Sequence, residues 1–151
     1  MKLIRAASAV ALVFLVGTVF SGQWEWYARY THFDTLMHLL GGFVIAWFVA
    51  ELLEHDVRKV TVYGALGLIV GATALVGIAW ELAEYGSGLL FADAESGLLN
   101  LFYRYFHGGD LGDTLLDLIA DILGALALSA LYLPTRRARA TPPQSAEAAH
   151  T

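Results

Sequence analysis

Asp113-Thr-Leu-Leu-Asp117-Leu-Ile-Ala-Asp121-Ile-Leu-Gly124-Ala-Leu-Ala127-Leu-Ser-Ala-Leu-Tyr132 decides how this chain folds. The stretch is long and apolar enough to cross a bilayer, yet three carboxylates occupy its first half. They recur at intervals of four, so on a helix they stack along one face. At 1.5 Å per residue Asp121 lies about 12 Å below Asp113. A carboxylate facing lipid is costly, so this face must look at protein, water, a proton or a cation.

The rest of the chain supplies company of the same kind. Its 151 residues are 58% hydrophobic and only 15% charged, against about 25% charged in an ordinary soluble domain. The apolar residues fall in separate long blocks, the pattern of a polytopic all-α membrane bundle with a single domain. Four spans are expected, at about 4–21, 35–54, 60–85 and 113–133. An outer connection over 86–112 and a disordered tail over 134–151 complete the layout. The first block is read as a retained helix, because Val19-Phe20-Ser21-Gly22 makes a poor signal-peptidase site. Gly86-Ser-Gly88 and His107-Gly-Gly109 read as turns, with a short aromatic surface helix between them. The net charge of −5 says little about partners, because many carboxylates fall inside or beside the apolar blocks. The only dense basic run, Arg136-Arg137-Ala-Arg139, is short and juxtamembrane and gives a nucleic-acid partner no support, so the expected partner is the bilayer. Cysteine is absent, which excludes disulfides, thiolate metal sites and cysteine nucleophiles.

Orientation follows from Lys and Arg. With the N-terminus inside, the inner segments hold Lys2, Arg5, Arg58, Lys59, Arg136, Arg137 and Arg139, and the outer ones hold Arg29 and Arg104. The positive-inside rule then puts both termini in the cytoplasm.

This topology assembles a site. Asp34 and His38 share a face at the outer end of the second span, and Glu81 and Glu84 share one at the outer end of the third. The fourth span adds Asp113, Asp117 and Asp121. His38, Glu81 and Asp117 each lie about one turn inside their helix ends, so three helices bring carboxylates, and one an imidazole, to similar depth. Such ligands suit a divalent cation such as Zn, Mn or Fe. The same carboxylates can share protons instead. Asp34 and Asp113 also stand where Asp caps a helix; capping does not account for Asp117 or Asp121, which lie inside the span. His107, Asp110 and His32 are weaker candidates, and Trp24, Trp26 and Trp80 read as interfacial anchors. Gly67 and Gly71 form a G-x-x-x-G that permits close helix contact.

The combination Asp34-x3-His38-x2-Gly41, Trp80-Glu81-x2-Glu84 and Asp113-Thr114-x2-Asp117-x3-Asp121-x2-Gly124-Ala125 resembles the YjdF-like family of small, multi-helical bacterial inner-membrane proteins. It is more distantly similar to the VanZ-like proteins, which are associated with teicoplanin resistance. The resemblance covers roughly residues 30 to 133. It implies an inner-membrane location and marks Asp34, His38, Glu81, Glu84, Asp113, Asp117 and Asp121 as the functional positions. Three readings follow. The polar network fixes helix packing in a structural or accessory protein. Alternatively, it relays protons or ions in a transporter, which four short spans require to be a homo-oligomer. Or it holds a catalytic metal acting on a lipid-linked or cell-envelope substrate, although neither G-x-S-x-G nor H-E-x-x-H is present.

Overall fold

The computed structural model describes residues 2–24, 30, 32–91 and 111–140. All of the regular structure among them is helical: α1 Lys2–Trp24, α2 Phe33–Leu52, α3 Glu54–Lys59, α4 Val62–Phe91 and α5 Leu111–Ala140. Three helices are long and apolar enough to cross a membrane, with apolar windows Phe33–Leu52, Val62–Gly86 and Leu111–Thr135. Their outer faces expose Tyr63, Leu75, Leu82, Leu116 and Leu131, the arrangement expected of helices whose solvent is lipid.

The central pair is α2 with α5. They run in the same direction, because contacts along them keep an almost constant offset in sequence. His38 meets Asp121, 83 residues on, and Ala50 meets Tyr132, 82 residues on. The helix α4 lies against both and runs the opposite way, with Gly77 facing Asp121 and Glu81 facing Thr114 nearer the start of α5. The spacing of four explains the pairing. Asp34, His38, Gly42, Ala46 and Ala50 form one face of α2, and Asp113, Asp117, Asp121, Ala125, Ser129 and Leu133 form one face of α5. All of these are buried except Asp34 and Asp113, which are half-buried.

Small residues let the two backbones meet. A Cβ added to Gly124 would lie 2.7 Å from the Phe43 nitrogen and overlap the Leu39 carbonyl. One added to Gly42 would lie 2.6 Å from Asp121 Cα. This is the close crossing that small residues permit in membrane helices. The G-x-x-x-G pair flagged above is not where it happens: Gly67 and Gly71 both look onto open space. Away from that crossing, toward α3, the bundle is sealed by Ala46, Ala50, Val57, Ala65, Ile69, Ala125, Leu128 and Leu133.

Several boundaries differ from the sequence reading. The polar turn expected after Glu54 is the short helix α3, whose Glu54 and Arg58 pair across one turn. The helix α4 continues through Gly86 and Gly88 to Phe91, so residues 86–91 are not part of a loop. A glycine inside a helix costs only about 1 kcal/mol, less than exposing unbonded backbone near lipid. The helix α5 likewise passes through Pro134 to Ala140, and the Thr135 hydroxyl donates to the Tyr132 carbonyl at 2.8 Å. Hydroxyl groups of this kind help membrane helices tolerate proline. The expected surface helix, His107, Asp110, Trp26 and the tail beyond residue 140 lie outside the described residues.

Candidate functional site

His38 is the hub. It sits one turn into α2 on the face turned toward α5, and it is 92% covered, with 8% exposure. Its Nδ1 stands 3.4 Å from Asp121 Oδ2, and its Nε2 stands 3.6 Å from Glu81 Oε1 and 3.8 Å from Asp34 Oδ1. With Nδ1–H donating to Asp121, the Nε2 lone pair points into a gap walled by carboxylate oxygen. A carboxylate behind a histidine is the usual device for fixing the tautomer of a ligating imidazole.

The groups around that gap fall into two triads that share His38. One is Asp34, His38 and Asp117; the other is His38, Glu81 and Glu84. In each, one ligand atom per residue lies within 4.8 Å of the others. Ligands at 2.0–2.2 Å from a tetrahedral ion stand roughly 3.3–3.6 Å apart. The Nε2–Glu81 separation of 3.6 Å fits that edge, and the Nε2–Asp34 separation of 3.8 Å is slightly wider.

Hydroxyls from neighbouring helices hold the carboxylates. Thr35 on α2 hydrogen-bonds Asp117 on α5, and Thr114 on α5 hydrogen-bonds Glu81 on α4. The Trp80 indole N–H donates to Glu84 one turn along α4. These bonds leave two oxygens over. Among the described residues Glu81 Oε1 and Asp117 Oδ1 are buried with no hydrogen-bond partner, as is Ser129 Oγ farther along α5. A buried acceptor without a donor is costly, and it calls for a proton, a water or a cation.

The structure therefore brings Asp34, His38, Glu81, Glu84, Asp117 and Asp121 together, and puts Asp113 at their rim. Capping is not what Asp34 does, since the N-cap of α2 is His32 and Asp34 lies inside the first turn. Asp113 is likewise within the first turn of α5. His32 is exposed and outside both triads.

Sequence reasoning missed three contributors. Two are the threonines Thr35 and Thr114. Their signal was the shared Asp-Thr-Leu opening of α2 and α5, at Asp34-Thr35-Leu36 and Asp113-Thr114-Leu115. Gly77 was missed too: its Cβ would collide with the Asp121 carboxylate, so glycine is needed for Asp121 to point where it does.

Beside the cluster is a cavity of about 250 Å³. One end is polar, with Asp34, His38, Glu84 and Asp121. The other walls are apolar, from Val10, Val13 and Phe14 on α1, Met37, Val44 and Ile45 on α2, and Val76 on α4. Trp80, read as an interfacial anchor, is a wall of this cavity.

Comparison with other proteins places the chain. A protein of Thermotoga maritima described as uncharacterized is 28% identical over 116 residues, which are 76% of this chain and 55% of that relative. The chain thus spans about half the length of the curated relative it matches. No solved structure matches it. The match to a membrane-protein family runs along residues 1–138, and agrees with three apolar spans packed through glycine and alanine. The chain belongs to the family described as Predicted membrane protein (DUF2238).

Proposed function

We propose that this small integral membrane protein binds a first-row divalent cation inside the bilayer, with His38 Nε2 as the nitrogen ligand. The observation that carries the reading is the pair of buried, unpartnered oxygens, Glu81 Oε1 and Asp117 Oδ1, one in each triad around that nitrogen. One imidazole with two or more carboxylates is a donor set for Zn, Mn or Fe. Asp121 acts behind His38 rather than on the ion. Asp34 with Asp117, or Glu81 with Glu84, completes the coordination. Asp113 at the rim adds negative charge that draws cations inward.

In this reading α1 is a fourth span, both termini are cytoplasmic, and the site lies in the outer leaflet of a bacterial inner membrane. Seven basic residues fall on the inner side against two on the outer. The kinship is with YjdF-like proteins, on the Asp34-x3-His38 and Asp113-x3-Asp117-x3-Asp121 spacings.

Elemental analysis of detergent-purified protein tests the proposal, with wild type beside His38→Ala, Asp117→Ala and Glu81→Ala. Stoichiometric metal in wild type, lost from folded His38→Ala and from one of the carboxylate variants, is the expected result. A folded wild type that takes up no metal on supplementation overturns it.

A further inference from the structure

The cavity beside the cluster is built unlike a cation site. Its polar end is small and acidic, and the rest is a hydrocarbon surface contributed by α1, α2 and α4. A bare ion would use only the end. A water-filled vestibule would be lined with polar groups along its length, and among the described residues Thr73 is the one hydroxyl in the lining, already donating to the Ile69 carbonyl at 2.8 Å. The lining asks for a molecule with an apolar body and a charged head.

Charge gives the sign of the head. Asp34, Glu84 and Asp121 reach the cavity, and among the described residues His38 is the one basic side chain there. A carboxylate or phosphate head would face like charge, whereas an ammonium donates hydrogen bonds to carboxylates. The same argument disfavours an aminophospholipid, whose phosphate would be drawn in beside its amine.

The route in is lateral. Among the described residues α1 lies alongside α2, and it reaches α4 through the edge of Phe14 on Trp80, ring centroids 5.9 Å apart at 87°. That ring pair bridges the seam between α1 and α4. Trp80 is also tied to Glu84 at the polar end, so the aromatic seam and the acidic end are coupled in one side chain. A single edge-to-face ring contact is a weak latch for that seam.

We propose that the cavity binds a single-chain lipophilic amine taken from the bilayer, its alkyl chain against Val13, Met37, Val44 and Val76 and its ammonium between Asp34, Glu84 and Asp121. This rests on the cavity and its charge, and goes beyond the cation reading without requiring it.

Gly41 makes the test clean. It lines the cavity, and a Cβ there would meet nothing within 4 Å. Gly41→Leu therefore fills the space without disturbing the Gly42–Gly124 crossing, and Val44→Phe fills it independently. Full-length protein in nanodiscs is irradiated with alkyl diazirine probes sharing one tail and carrying an ammonium, hydroxyl or carboxylate head, with and without chelator. Labelled residues are read by mass spectrometry. The ammonium probe should label cavity residues about tenfold or more above the other two, the worth of one charge-assisted hydrogen bond. Dodecylammonium should compete, and both filled variants, eluting as wild type on size exclusion, should lose the labelling. Equal labelling by all three heads, or labelling undiminished in both filled variants, overturns the proposal, as does preferential labelling by a diazirine ethanolamine phospholipid. Metal content of the same samples separates the two readings: labelling without metal sinks the cation site alone, and metal without labelling sinks the amine site alone.

Discussion

The two halves of the bundle are held together in opposite ways. Toward α3 the faces of α2 and α5 carry Ala46, Ala50, Ala125 and Leu133, and the helices close on an apolar core. Toward the other end the same faces carry Asp34, His38, Asp117 and Asp121, and the helices close on groups that repel one another. Gly42 and Gly124 sit at the border. Their backbone contact sets the close approach of α2 and α5 between the two halves. A buried polar network costs stability, and small residues packed nearby can offset it. The difference separates what folds the protein from what the fold is for.

The border is the place to break this arrangement. Gly124→Leu drives a side chain into the Leu39 carbonyl and the Phe43 nitrogen, with no flexible neighbour to yield. Loss of about 3 kcal/mol or more is expected, seen as a collapse of the monodisperse peak after heating in detergent. Within the apolar half, Leu128→Ala opens a cavity and should cost about 2–5 kcal/mol. Thermal unfolding by circular dichroism would measure it, and metal content per folded molecule should stay as in wild type.

In the polar half the expected pattern inverts. Asp121→Asn keeps the shape but weakens the grip on His38 Nδ1, and a drop of about 10–100-fold in metal affinity is expected, read by competition with a chelating dye. Asp117→Leu removes the buried Oδ1 and abolishes metal binding if Asp34 and Asp117 complete the coordination, but leaves it in place if Glu81 and Glu84 do; metal-free stability should be unchanged or raised by about 1 kcal/mol. A strongly destabilised Asp117→Leu would mean that the polar half holds the fold together after all. Smallest of all, Glu54→Ala breaks the exposed pair with Arg58 and should leave the unfolding midpoint indistinguishable from wild type. That variant checks that the assay registers position rather than charge.

Much of this was legible beforehand, for a definite reason. Carboxylates inside an apolar run have few places to go, so the spacing of Asp113, Asp117 and Asp121 identified a helix face, and the Lys and Arg distribution suggested which ends lie together. Close packing was less legible. Gly67 and Gly71 match the strict G-x-x-x-G pattern, yet a Cβ on either would meet nothing within 4 Å among the described residues. Gly42 and Gly124 match only the looser small-x-x-x-small pattern, Gly42 with Ala46 and Ala120 with Gly124, and form the crossing. The usable signal was continuity. Gly42 continues the ladder of four from His38, and Gly124 lies three residues beyond Asp121. Helix ends were harder. Gly86, Gly88 and Pro134 are breakers in water, and the penalty for stopping a helix at apolar depth outweighs their preference. The role of Trp80 depends on Phe14, 66 positions earlier, and nothing local announces it.

The parallel run of α2 and α5 has a consequence for biogenesis. Parallel neighbours cannot be joined by a short turn, so the face of α2 that carries His38 must wait for a partner made 83 residues later. At 5–20 residues per second, that interval is about 4–17 s of synthesis. Until it ends, the Asp121 that will receive the imidazole does not yet exist. The polar face of α2 is therefore completed last, and the fold closes only when α5 has arrived.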